Sequence, residues 1–306
     1  MNLPTVTLII PTIGRPRYIG DTVRSVLAQD YPNLRVLISD NAPATPTADV
    51  LREQGIADAR IRIVSRAVRL GFTEHMNACL AEADGEFAMI LSDDDQLGRG
   101  YVSEMVALFE RDPAVAVAFG RQRIIGEQDT GLLDPPPSPE PAQVFDGPAY
   151  LRDTLAGTLR TEVVTYISLF ARRARLLEIG AFRPYADGSH ADNFILFQLA
   201  LGGRVALGAQ RMLYRVYATS HGLGTPFSAL LDATLAYSRD CAAALQAAGG
   251  VPAAQKHTML RRLKRNNFRM LRGRIRGVYR RRDTPAMLAS HVLAALRFAL
   301  TPVSRL

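Results

Sequence analysis

Three consecutive carboxylates, Asp93-Asp94-Asp95, stand directly after the apolar run Glu86–Leu91. Like charges at that spacing repel and raise one another's pKa unless a cation sits among them. Hard oxygen ligands that share an ion with waters and phosphate oxygens suit Mg²⁺ or Mn²⁺. The competing reading is an acidic turn that opens the next helix; a metal–diphosphate site accounts better for three acids in a row. Two further apolar runs end in polar residues, Pro11-Thr12 after Thr5–Ile10 and Asp40-Asn41 after Leu34–Ser39. Open parallel sheets bind ligands beyond the carboxyl ends of their strands. The stretch Pro11–Arg15 carries neither the dinucleotide glycine fingerprint nor a P-loop. A diphosphate must therefore be held by other means, and a metal on the aspartates supplies one.

The elements that must position these residues are visible as short β-type runs and helical stripes. Over the first 120 residues, strands are expected at Thr5–Ile10, Leu34–Ser39, Arg60–Ser65, Glu86–Leu91 and Ala114–Phe119. They alternate with helices expected at Arg17–Gln29, Thr73–Ala83 and Tyr101–Arg111. That alternation predicts an α/β fold with a mainly parallel sheet flanked by helices. Asp134–Pro141 holds five prolines in eight residues and reads as an extended surface loop. Further strands are expected at Val163–Ala171 and Leu213–Tyr217, with an apolar helix at Asn193–Leu201 between them. Past residue 220 the chain is helical and Ala-rich to Ala248, breaks at Gly249-Gly250 and turns strongly basic. A boundary near 220 thus separates an α/β body from a helical C-terminal extension.

The 306 residues are 48% hydrophobic and 22% charged, which excludes wholesale disorder. Cys79 and Cys241 lie in apolar helical stretches and read as small buried hydrophobes. Met1–Arg15 lacks a basic segment followed by an apolar one, and no run of about 18 apolar residues occurs. Neither a signal peptide nor a membrane span is expected, and a reducing cytoplasm fits. The net charge of +8 is unevenly spread. Lys256–Leu306 carries 14 Lys/Arg against the single acid Asp283, which leaves the first 255 residues with 23 basic and 28 acidic residues.

In combination, Val6-Thr7-Leu8-Ile9-Ile10-Pro11-Thr12, Ser39-Asp40-Asn41, Gly71, Asn77, Ala83-Asp84-Gly85-Glu86 and Ser92-Asp93-Asp94-Asp95 resemble the N-terminal half of the family 2 glycosyltransferases. The resemblance covers about residues 5–120 well and 160–222 loosely. It implies the GT-A fold, with a catalytic domain over 1–220. Its nucleotide-sugar half spans about 1–120 and its acceptor half about 121–220, followed by the basic helical region 221–306. It also implies roles. Pro11, Thr12 and Arg15 would line the nucleotide pocket, and Asp40 and Asn41 would meet the base. Arg69 and Asn77 would lie along the donor, unless the first is a solvated loop charge and the second satisfies loop backbone. Asp93 would sit near the ribose, with Asp94 and Asp95 on Mn²⁺ or Mg²⁺. Where many relatives carry an acid this chain has Ser92, so the register of the cluster is open.

The family's catalytic base belongs to an acidic pair that opens a helix after a Gly-rich segment. Here Gly188-Ser189-His190-Ala191-Asp192 resembles that context, with Ala191 in place of the first acid. Asp192 is the expected base, with a plain helix-start acid as the alternative, and Asp187 is the backup. His190 is an acceptor or donor contact or a loop residue. His221, after Tyr214-Arg215-Val216-Tyr217, would complete the metal site or cap the surface. The expected activity is inverting transfer from a nucleoside-diphosphate sugar, UDP-linked by preference, to a glycan, glycolipid or small-molecule hydroxyl. A nucleotidyltransferase would normally carry a Gly-rich basic loop after strand one. A non-catalytic sugar-nucleotide-binding or scaffolding protein is the other alternative.

Between Lys256 and Arg282 there are twelve Lys/Arg and no acid, threaded by Leu260, Leu263, Leu271, Ile275 and Val278. Such a helix either docks its apolar stripe on the body with a solvated basic face, or lies on an anionic membrane surface. The second option would make the protein peripheral on the inner face of the cell membrane. No nucleic-acid recognition motif accompanies the charge, so nucleic acid is not an expected partner.

Overall fold

In this computed structural model the described residues are 3–42, 46–159, 168–217, 226–280 and 298, with side chains left aside at 187 and 274–280. The chain runs β1 (Val6–Thr12), α1 (Ile19–Leu27), β2 (Leu34–Asp40), α2 (Thr47–Glu53), β3 (Ile61–Ser65), α3 (Phe72–Glu82) and β4 (Phe87–Ile90). Next come the short β5 (Gln96–Leu97), α4 (Tyr101–Arg111), β6 (Val115–Ile125), β7 (Gln143–Phe145) and α5 (Gly147–Ala156). The remainder is β8 (Phe170–Arg172), α6 (Arg173–Glu178), α7 (Ala191–Leu201), β9 (Arg204–Arg215), α8 (Phe227–Ala247) and α9 (Ala253–Arg280).

One mixed sheet results, in the order β3-β2-β1-β4-β8-β6-β9-β5, with β7 on the flank of β9. The half that precedes β5 is parallel: β1 pairs with both β2 and β4, and β2 with β3. β8 is antiparallel to β4 and β6, which joins that half to the parallel pair β6–β9. Every residue of β1 is buried, as expected of a central strand covered on both faces by helices. One face packs Ile19, Val23 and Val26 of α1, Leu51 of α2 and Val102, Met105 and Phe109 of α4. The other carries Met76, Cys79 and Leu80 of α3 together with residues of α5, α7, α8 and α9.

Local chemistry explains several boundaries. Asp146 caps α5 by accepting the Ala149 amide at 2.9 Å, proline follows in the first turn, and Gly157 ends the helix at φ +73°. At Gly120 the register of β6 shifts against β9. A Cβ there would come within 2.6 Å of the Gln210 carbonyl and would meet the Tyr101 ring, so the close approach requires glycine. β6 and β9 run longer than their apolar cores because they pair with each other over most of their length. β9 begins at Arg204 where a strand was expected only from Leu213, and of Val163–Ala171 only the end at β8 lies within the described residues.

The basic C-terminal helix docks the described part of its stripe on the body, the Ile275 and Val278 side chains lying outside the described residues. Met259, Leu260 and Leu263 of α9 join the core that α5, α7 and α8 share. Leu271 packs with Phe227, Leu230 and Phe298. Asn267 donates to Ser238 at 3.0 Å and Asn266 to the Leu155 carbonyl at 3.0 Å. Among the described residues, no helix is long and apolar enough to cross a membrane. Because Leu263 is only 3% exposed, Leu263→Ala should cost about 2–5 kcal/mol in urea unfolding of the full chain. A loss below about 0.5 kcal/mol would show that α9 stands outside the cooperative core.

Candidate active site

β4 delivers the three aspartates into a buried turn, where Asp93, Asp94 and Asp95 are 3%, 5% and 1% exposed. β1, next to β4, presents Thr12, whose hydroxyl donates to Asp93 Oδ2 and accepts the Gly14 amide. Gly14 takes φ +84°, and the loop it turns brings Arg15 over the cluster. The Arg15 guanidinium pairs with Asp94 Oδ2 and lies 3.4 Å from Asp93 Oδ1. Asp94 is further held by the Ser92 hydroxyl on Oδ1 at 2.6 Å and by the Tyr217 phenol on Oδ2.

β9 closes the other side. The Arg215 amide donates to Asp95 Oδ1 at 2.7 Å, and its side chain donates to the Asp94 carbonyl at 2.9 Å and to the Gly126 carbonyl. The same guanidinium lies over the Tyr18 ring, 4.4 Å from its centroid, and Tyr18 meets Tyr217 edge-on at 6.0 Å. Arg215 is 3% exposed, a buried cation set against buried acids. Among the described residues, Asp95 Oδ2 is buried without a hydrogen-bond partner. Burial first, and then the Asp94 charge, push the Asp95 carboxyl well above the ordinary carboxylate range. Asp93 is pushed up to about 6, again chiefly by burial, against the opposing pull of Arg15.

The remaining site residues fall into two groups. Around the β2 end, the Asp40 carboxylate accepts the Ala42 amide at 3.0 Å and the Thr47 amide at 2.7 Å, which caps α2. Asn41 donates to and accepts from the Leu70 backbone at 3.0 and 2.8 Å, and its own amide reaches the Thr12 carbonyl. Pro11 and Thr12 are thereby brought beside Asp40 and Asn41, while Arg69 is exposed on the loop that Asn41 fastens. Asn77 spends its amide on the Phe182 backbone, at 3.0 and 2.9 Å, which ties α3 to the segment leading into α7.

Asp192 lies in the first turn of α7, half-buried, and accepts the Asn193 amide at 2.8 Å. Burial first, and then the charges of Asp95, Asp94 and Asp192, raise the Tyr214 phenol, so all three acids lie within electrostatic reach of it. His190 takes φ +66°, stacks on Tyr237 at 4.7 Å and shares a hydrogen bond with Thr234. Burial pushes it down to about 4, so it is neutral near pH 7 and faces the helix layer. Gly188, at φ +73°, presses on the Phe72 ring where a Cβ would collide. His221 and the Asp187 side chain lie outside the described residues.

Sequence reasoning gave no role to Arg215, Tyr217, Tyr18 or Ser92. The signal was an arginine flanked by tyrosines at the end of a strand, which has to bury its charge against something.

The family model for glycosyl transferase family 2 matches residues 7–168, which span β1 and the aspartate turn. The chain belongs to that family. A putative teichuronic acid biosynthesis glycosyltransferase of Bacillus subtilis, TuaG, is 28% identical over 156 residues, 51% of this chain and 60% of its own length. A GalNAc(5)-diNAcBac-PP-undecaprenol beta-1,3-glucosyltransferase of Campylobacter jejuni is 29% identical over 105 residues, 34% of each chain. The chain thus spans about a third to three-fifths of these curated relatives. Among solved structures, S. aureus TarS residues 1–349 with UDP-GlcNAc superposes with TM-score 0.71 at 15% identity, covering 96% of this chain and 80% of that one. A Pyrobaculum calidifontis mannosyltransferase with GDP-Man and Mn²⁺ gives 0.58 at 17% identity, covering 99% and 83%. The fold of this family 2 chain is GT-A.

Two outcomes are expected from the geometry. Asp93 is raised in the folded state from 3.8 to about 6, so its contribution to stability is present at low pH and is lost as the pH rises through that window. Asp93→Asn should therefore stabilise the metal-free chain by about 1–3 kcal/mol near pH 8 and by nothing measurable near pH 4, read from urea melts. Equal effects at both pH values would contradict the buried-charge account. Second, Arg15→Gln removes the internal cation from Asp94. Mn²⁺ binding without nucleotide, followed by electron paramagnetic resonance, should tighten about ten-fold; unchanged affinity would show that Arg15 and metal do not compete.

Proposed function

We propose that this family 2 chain transfers a sugar from a nucleoside diphosphate, UDP by preference, to an acceptor hydroxyl with inversion at the anomeric carbon. The observation that carries the reading is the buried Asp93–Asp95 turn at the end of β4, where Asp95 Oδ2 has no hydrogen-bond partner among the described residues. The charges of Asp94, Asp95 and Asp192 reach the same Tyr214 phenol, which supports Asp192 as the base. TarS holds UDP-GlcNAc and the Pyrobaculum enzyme GDP-Man, which supports a nucleotide-sugar donor and keeps GDP and dTDP as alternatives to UDP.

In this reading Pro11, Thr12, Asp40 and Asn41 shape the nucleotide pocket at the ends of β1 and β2, and Asp93 faces the ribose. Asn77 serves the donor through its grip on Phe182, and Arg69 is an exposed cation on the loop that Asn41 fastens. Asp94 and Asp95 would hold a divalent cation, and the unpartnered buried oxygen of Asp95 fits a ligand awaiting one. No group of three or more His, Cys, Asp or Glu with metal-cage geometry occurs among the described residues. Mg²⁺ and Mn²⁺ fit regardless, since they bind through one or two carboxylates plus phosphate oxygens and water. The cation would neutralise charge on the leaving diphosphate. Arg15, freed from Asp94, adds a second positive charge beside it. Asp192 takes the acceptor proton as the hydroxyl attacks. His221 remains a candidate further ligand.

The acceptor we favour is a lipid-linked glycan, as in the name of the Campylobacter relative; free glycans and small molecules are the alternatives. That acceptor would put the protein peripherally on the inner face of the cell membrane. Asp192→Asn tests the enzyme reading. Turnover, measured as release of nucleoside diphosphate with an acceptor panel, should fall about 10²–10⁴-fold with donor binding retained. Full turnover in the variant would remove Asp192 as the base. Donor binding by the wild type without turnover on any acceptor would instead favour a binding or scaffolding protein.

A further inference from the structure

With Met259, Leu260, Leu263 and Leu271 buried on the body, α9 presents the opposite face to solvent, and that face is not a random scatter of charge. Arg261, Arg265, Arg269 and Arg272 are all exposed. Their spacing of four, four and three residues places them in one row along the helix, about 16 Å long at 1.5 Å per residue. The helix contains no acid from Ala253 to Arg280. Among the described residues, none of these four forms an ion pair. Other cations of α9 are differently used: Lys256 donates to the Gln246 carbonyl and Arg262, half-buried, to the Arg152 carbonyl. Like charges at such spacing weaken an isolated helix, so the row works against folding unless an anion faces it.

The row also has a direction. α8 and α9 run antiparallel, since Leu245 packs in one core with Leu260 and Leu263 while Leu230 meets Leu271. The Arg269–Arg272 end therefore lies toward the start of α8, where Thr234 holds His190, two residues before Asp192. The row leads to the end of the helix layer that carries the proposed base.

We propose that this arginine row is a docking surface for an anionic lipid bilayer, which holds the Asp192 end of the protein at the headgroups. A bilayer fits better than a compact anion. Four exposed cations spread along about 16 Å of one helix face match a flat sheet of separate phosphates better than a single small ligand. Contact is chiefly electrostatic, because Met259, Leu260, Leu263 and Leu271 of α9 are already buried in the protein. The proposal rests on the reading of a lipid-linked acceptor for its purpose, though not for its test.

The experiment is sedimentation of the full chain with vesicles of phosphatidylcholine alone, or with about a third phosphatidylglycerol, each arginine near such a surface contributing roughly five-fold to partition. Wild type should bind the anionic vesicles several-hundred-fold better than the neutral ones, and lose most of this in about 1 M salt. Replacing all four arginines with Gln should abolish the preference, and replacing them with Lys should keep it. Since all four side chains are exposed, circular dichroism should show both variants folded. Transfer to a soluble acceptor should be unchanged in both, so a failed donor or base assignment is told apart from a failed surface. Equal partition of wild type to both vesicles, or anionic binding by the Gln variant at the wild-type level, would overturn the proposal. So would binding to heparin or duplex DNA tighter than to the vesicles, which would assign the row to a soluble polyanion.

Discussion

Burying three adjacent carboxylates is the constraint around which the fold is arranged. An isolated buried charge is too costly to keep, so such groups take protons or gather cations and donors. The turn after β4 does both. Asp93 and Asp95 are pushed toward protonation, and Arg15 and Arg215 approach from β1 and β9 on opposite sides. Each arginine is steadied by a tyrosine, Arg15 over Tyr217 and Arg215 over Tyr18. The residual cost is concentrated on Asp95, whose Oδ2 has no hydrogen-bond partner among the described residues. Strain of this kind is compatible with a stable protein only where a large core offsets it, and two continuous hydrophobic layers enclose the sheet here.

The sheet topology turns that local cluster into a site with two sides. β4 is hydrogen-bonded to β1 on one edge and β8 on the other, so the aspartate turn sits at the seam between the parallel half and the β6–β9 pair. The parallel half contributes Thr12, Arg15 and the fastened loop of Asn41. The other half contributes Arg215 and Tyr217 and, through α7, Asp192. Asn77 bridges the halves by holding the Phe182 backbone from α3. A polar residue that looks like a ligand contact in sequence can thus be a fastener that fixes where a contact stands.

What was legible in the sequence follows from how local the cause is. β1, β2 and β4 are buried on nearly every residue, and runs such as VTLIIPT declare that directly. α3 and α7 begin within about two residues of their expected starts because periodicity is local information. β5, β7 and most of β9 are held by pairing partners distant in the chain, and α5 by a cap and a proline whose stripe is weak. The Asp cluster announced itself by improbable charge. Arg215 and Tyr217 did not, since a Tyr-Arg strand end means little until β9 is laid beside the Asp95 turn. The basic tail left two options open, and packing of Met259 and Leu263 answers for the apolar stripe alone.

The central claim is that Asp94 and its neighbours form the metal-assisted diphosphate site of a nucleotide-sugar enzyme. Calorimetric titration with UDP, GDP and dTDP, each with and without Mn²⁺, on wild type and Asp94→Ala tests it most directly. The account predicts metal-dependent binding of one nucleotide by the wild type and its loss in the variant. Absence of binding by any of the three to well-folded wild type, or equal metal-dependent binding by Asp94→Ala, would contradict it.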